Sequence, residues 1–174
     1  MSSYGSIRIP ARVSILAAAL LVAAGGWPAR ADHWPQWRGP RGDGIATVVG
    51  LPTKWSKTEN VAWRTPLPGR AGATPCIWDG RIFLTSNEAD DLVLVCVNAK
   101  DGSIAWKKTV TGGNKDARSG EGNSASPSPS TDGRHVWVFF GTGILACYTV
   151  DGAEVWKTDV NDRDRYFIRG QLLF

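Results

Sequence analysis

From residue 73 onward, short runs of branched and aromatic residues alternate with polar turns that carry glycine. The runs are RIFLTS (81–86), LVLVCVN (92–98), HVWVFF (135–140) and ILACYTV (144–150). Asp-Gly falls at 79–80, 101–102, 132–133 and 151–152, and Gly-x-Gly at 141–143. Runs of this length bounded by such dipeptides predict strands joined by tight hairpins, because the turn needs a positive φ that glycine adopts without steric cost. No stretch after residue 32 sustains a helical period, so the chain reads as all-β.

The strands group into two copies of one plan. In the first, ATPCIW (73–78) turns at Asp79-Gly80 into RIFLTS, the acidic loop NEADD leads into LVLVCVN, and Asp101-Gly102 turns into SIAWKKTV (103–110). In the second, SASPSPS (124–130) turns at Asp132-Gly133 into HVWVFF, a glycine link leads to ILACYTV, and Asp151-Gly152 turns into AEVWKTDV (153–160). KDGSIAWKK (100–108) thus returns as VDGAEVWKT (150–158), each with a tryptophan five residues past the turn aspartate. ENVAWRTPLPG carries an earlier echo at Trp63.

Four-stranded sheets repeating every roughly 40–50 residues predict the blades of a β-propeller. Blade one spans 73–110 and blade two 124–160, separated by the Gly- and Ser-rich loop 111–125. Residues 60–67 stand as a lone fourth strand of a preceding blade, after an extended segment at 32–59. In this reading Trp63, Trp106 and Trp156, with Gly102 and Gly152, hold neighbouring blades together, the indole filling the gap between sheets. A ring closes with at least about four blades, so the expectation is an incomplete propeller, with 161–174 a truncated tail.

The first 31 residues predict an export signal. Arg8 and Arg12 precede an apolar run from Val13 to Ala24, and Ala29-Arg30-Ala31 is a small-x-small cleavage pattern placing the cut after Ala31. The run is shorter than the roughly 20 residues a membrane helix needs, so no membrane span is expected after cleavage. Export removes three of the 20 basic residues and none of the 16 acids, which takes the net charge from +4 to about +1. A nucleic-acid footprint goes with it.

Candidate chemistry is sparse. Cys76, Cys96 and Cys147 lie in apolar strand runs as small buried hydrophobes, without the spacing of a metal site. Glu88, Asp90 and Asp91 form an acidic cluster whose bland reading is a solvated loop and whose sharper one is calcium. His33 lies in the N-terminal segment and His135 starts a strand, neither with an evident catalytic partner. Arg41-Gly42-Asp43 spells an adhesion tripeptide, and Trp34 and Trp37 flank Pro35 as indoles available to pack on a blade or stack on sugar.

VCVNAKDGSIAWKK and ACYTVDGAEVWKT resemble the repeat of pyrroloquinoline-quinone-type propellers. Together with WPQWRGPRGDGIA (34–46), LPTKWSKTENVAWRTPLPG (51–69) and SASPSPSTDGRHVWVFFGTG (124–143), they are similar to secreted PQQ-like repeat proteins of planctomycete-type bacteria and to the BamB outer-membrane assembly factor. The resemblance implies a secreted or periplasmic scaffold whose partners are other proteins of the cell envelope, with no cofactor of its own. The competing implication is a quinoprotein oxidoreductase in which quinone and calcium are bound by blades of a full-length relative. Those dehydrogenases carry adjacent cysteines at the cofactor, and the three cysteines here stand apart.

Overall fold

A computed structural model describes residues 33–70, 72–117 and 122–160. The chain divides into two units, Met1–Arg30 and Ala31–Phe174, and the described residues belong to the second. The predicted export signal, 1–31, and the predicted tail, 161–174, lie outside them. Among the described residues there are ten strands and no helix, so none long and apolar enough to cross a membrane.

Blade one is a four-stranded antiparallel sheet in sequence order: β1 (Cys76–Trp78), β2 (Arg81–Glu88), β3 (Asp91–Asn98) and β4 (Ile104–Thr111). Its β1–β2 hairpin closes on the pair Trp78↔Arg81, with Asp79 at φ 47° and Gly80 at φ 73°. Two successive positive φ values give the turn that matches the twist of the flanking strands. The β2–β3 ladder runs without a break from Arg81↔Asn98 to Glu88↔Asp91, so the acidic loop shrinks to Ala89-Asp90. A small pair, β5 (Asp116–Ala117) with β6 (Gly122–Asn123), lies inside the 111–125 loop. Blade two consists of β7 (Ser130–Thr131), β8 (His135–Phe139), β9 (Ile144–Thr149) and β10 (Glu154–Asp159), again antiparallel and in sequence order.

The sheets do not close a ring among the described residues, and the molecule is an all-β, incomplete propeller. Alternation along β3 sends Leu92, Leu94 and Cys96 to one face and Val93, Val95 and Val97 to the other, all buried. That is why its apolar run has no polar positions. The first face meets Val136, Val138, Ala146 and Tyr148 of blade two, with Phe83 and Phe140 filling the core between the sheets. The second is covered in part by Trp63 and Ile82.

Two expected strands are corrected. SASPSPS contributes only Ser130 to β7, because Pro127 and Pro129 have no N–H to give a ladder. Its earlier residues are instead gripped by blade one. The buried Thr85 hydroxyl donates toward the carbonyls of Ala125 at 2.8 Å and Pro127 at 3.0 Å, and the Thr74 amide donates to Ser128 Oγ at 2.9 Å. Residues 60–67 form no strand. A fourth strand draws its ladder from a third, and none lies beside this segment among the described residues.

Candidate functional site

Of the residues that sequence reading singled out, Trp106 and Gly152 meet at the seam between the blades. Trp106 reaches from β4 across to the Asp151-Gly152 turn, where a methyl on Gly152 would sit 3.0 Å from the indole. Its Nε1 donates to the Val150 carbonyl at 3.2 Å. The same carbonyl accepts from the Arg81 guanidinium at 2.8 Å, and that group also holds Asp151 at 2.7 Å. One turn of blade two is therefore tied by two donors from blade one. The Arg81–Asp151 pair is exposed, so it orients the turn more than it stabilises it.

Trp63 occupies the corresponding place on blade one. Its indole lies against Gly102 and its Nε1 donates to the Ala99 carbonyl at 2.9 Å, while the Thr65 hydroxyl bonds the Gly102 carbonyl. Trp156 differs. It is 40% exposed and covers no glycine among the described residues.

A second indole, one that the sequence did not single out, joins the seam. Trp78, at the end of β1, lies against Gly133 in the first turn of blade two. His33 stacks on its ring at 3.9 Å and 10°, and the Asp79 amide donates to His33 Nδ1 at 3.3 Å. Trp34 pairs with Ile77 through two 2.8 Å backbone bonds, and Pro35 accepts from the Thr131 amide at 2.8 Å. Residues 33–35 thus strap the free edges of β1 and β7 together. No periodicity marks this strap; the only hint was Trp34-Pro35, an extended dipeptide with an amphipathic ring.

The remaining candidates are bound to their own surroundings. Asp43 accepts from Arg41 Nε at 2.8 Å and from the Ile45 amide at 2.9 Å, so the Arg-Gly-Asp turn closes on itself. Glu88 pairs with Lys107, and Asp90 takes the Gly113 amide at 3.0 Å. Among the described residues no three His, Cys, Asp or Glu side chains gather as metal ligands. All three cysteines are buried and free, and burial pushes the Cys76 thiol up to about 12 and that of Cys96 to about 11. Trp37 stays 54% exposed with Arg38 over its ring.

Two of the turn aspartates, Asp101 and Asp132, are held below their ordinary range. Ser103, through its hydroxyl and then its amide, holds Asp101 below the ordinary 3.8. Burial pulls Asp132 upward, but the His135 and Arg134 amides and the His135 ring outweigh it and leave it lowered. A depressed folded-state value stabilises fully above the unfolded value and is lost as pH falls through the folded one. Thermal melts should hold steady from neutral to about pH 5 and fall below about pH 4, with a shallower fall in Asp132→Asn. A melting temperature that ignores pH down to about 2 would show these turns contribute nothing.

A model of the family described as outer membrane protein assembly factor BamB matches residues 42–167. No curated protein matches the sequence significantly. Among solved structures, BamB from Moraxella catarrhalis is 18% identical with a TM-score of 0.47, over 58% of this chain and 28% of its own. The quinohemoprotein alcohol dehydrogenase ADHIIG from Pseudomonas putida HK5 is 21% identical with a TM-score of 0.37, over 57% of this chain and 15% of its own.

Proposed function

Because the chain belongs to the family of the outer membrane protein assembly factor BamB, we propose that it is an exported, non-catalytic propeller scaffold that binds other proteins at the bacterial cell envelope. The observation that carries this reading is a row of exposed apolar side chains ahead of the blades: Trp37, Ile45, Val48, Val49, Leu51 and Trp55, with Val49 91% and Trp55 70% exposed. Large apolar groups left in water along one segment mark a surface that meets another protein. Beside them, residues 50–54 and 59–62 line a groove of about 830 Å³. The polar side chains of the blades turn instead to one another. Asn123 bridges Arg70 and Asn87, Ser86 bonds the Gly69 carbonyl, and Thr85 holds two carbonyls of the neighbouring blade.

A photo-crosslinking residue in place of Val49 or Trp55 should yield a defined adduct in a cell-envelope extract. The same residue in place of Lys107, on the outer strand of blade one, should not. The competing reading, a quinoprotein oxidoreductase, is tested on the same preparation by absorbance after adding pyrroloquinoline quinone and calcium. A stoichiometric quinone complex without adducts at 49 or 55 would replace the scaffold reading.

A further inference from the structure

The Asp-Gly turns share one sequence signal but hold their groups differently. In three of them the glycine amide is occupied: Gly102 donates to the Asn98 carbonyl at 2.9 Å, Gly133 to Thr131 Oγ1 at 3.0 Å and Gly152 to the Thr149 carbonyl at 2.8 Å. The aspartate beside each is occupied too. Asp101 accepts from the Ser103 amide at 2.9 Å and hydroxyl at 2.7 Å, Asp132 from the amides of Arg134 at 2.8 Å and His135 at 2.7 Å, and Asp151 from Arg81 at 2.7 Å. All three glycines lie against indoles. At Asp79-Gly80 neither the carboxylate nor the glycine amide has a hydrogen-bond partner among the described residues. Both residues are exposed, and a carbon added at Gly80 would meet nothing within 4 Å.

We propose that Asp79-Gly80 is a site of covalent backbone modification, where the Gly80 amide nitrogen closes on the Asp79 side-chain carboxyl to give a succinimide and then isoaspartate. The nitrogen loses its proton and bonds to Cγ, and the carboxyl loses its hydroxyl as water. Water adding back at Cγ restores aspartate. Water adding at the backbone carbonyl instead breaks the original peptide C–N bond, so the chain runs through Cγ and the old carbonyl becomes a free carboxylate. Closure needs a nitrogen released from its acceptor and a carboxyl able to swing onto it. At the other three turns hydrogen bonds must break first, and one to a charged group contributes about 1.5–3 kcal/mol. The product inserts a methylene into the turn that sets the Trp78↔Arg81 pair, and the Asp79 amide donates to His33. Isomerisation therefore disturbs the strap at the end of β1, where Trp78 meets Gly133.

The test incubates the full chain at about pH 5, where a fraction of each carboxyl is protonated, both folded and in unfolding urea. Digests are then assayed peptide by peptide with an isoaspartate-specific carboxyl methyltransferase and labelled S-adenosylmethionine. Folded, residue 79 should isomerise at least about tenfold faster than 101, 132 or 151. Unfolded, the four rates should become comparable. Asp79→Glu, whose longer side chain cannot close the same ring, should remove the signal from the folded chain while circular dichroism keeps its sheet spectrum. The isomerised chain, separated by ion exchange, should melt below the parent. The proposal is overturned if residue 79 is no faster than the other three in the folded chain, if its lead persists in urea, or if the folded signal survives Asp79→Glu. An isomerised chain that melts with the parent would overturn the link to the strap.

Discussion

Trp106→Ala should destabilise the chain by about 2–4 kcal/mol, at and below the lower end of the about 3–5 kcal/mol that losing a fully packed Trp costs, because the indole is half-buried. Truncation opens the space between the Gly152 turn and Phe83, whose ring centre lies 5.9 Å from that of Trp106. It also removes the Nε1–H donated to Val150, but that carbonyl keeps the Arg81 guanidinium and is not stranded. Most of the loss is therefore packing, and Trp106→Phe should recover more than half of it. Urea denaturation with an unchanged m-value measures the difference. Trp156→Ala serves as the comparison: its ring is 40% exposed, and its removal should cost within about 0.5 kcal/mol. If the two substitutions cost the same, indoles on fourth strands do not hold these sheets together.

The family and the all-β propeller were legible because they rest on a repeated local signal. Each blade writes its strands as unbroken apolar runs and its turns as Asp-Gly, and such signals act over a few residues. What a turn glycine meets is decided by sheet stacking. Gly102, Gly133 and Gly152 each lie against an indole, whereas Gly80, in the same dipeptide, faces open space. Nothing within four residues separates Gly133 from Gly80. Trp78 was hidden for the same reason: its neighbours describe a hairpin end, and its partners, His33 and Gly133, lie 45 and 55 residues away in sequence. Residues 60–67 failed as a strand for a related reason. Sequence reports the preference for extended backbone, but a strand also needs a neighbour to bond with.

Gly133→Ala tests that hidden contact and should cost about 3 kcal/mol. Two effects add. Gly133 sits at φ 87°, where a β-carbon costs roughly 1–2 kcal/mol. The new methyl would also stand 2.3 Å from Trp78 Cε2. The backbone of Trp78 is fixed by its pairing with Arg81, and the His33 imidazole is stacked on its ring. Relief therefore requires moving β1 or lifting the 33–35 strap, and forced shifts of packed groups cost about 1–3 kcal/mol. Gly80→Ala isolates the first effect, since φ there is 73° and no atom lies within 4 Å of the added carbon. The excess of Gly133→Ala over Gly80→Ala measures the contact alone. Combining Gly133→Ala with Trp78→Ala removes the obstruction, so the double variant should be more stable than the sum of the two single losses predicts, by at least about 1 kcal/mol. Strict additivity would mean that Trp78 and the first turn of blade two do not press on each other in solution, and the strap would then have no seam to hold shut.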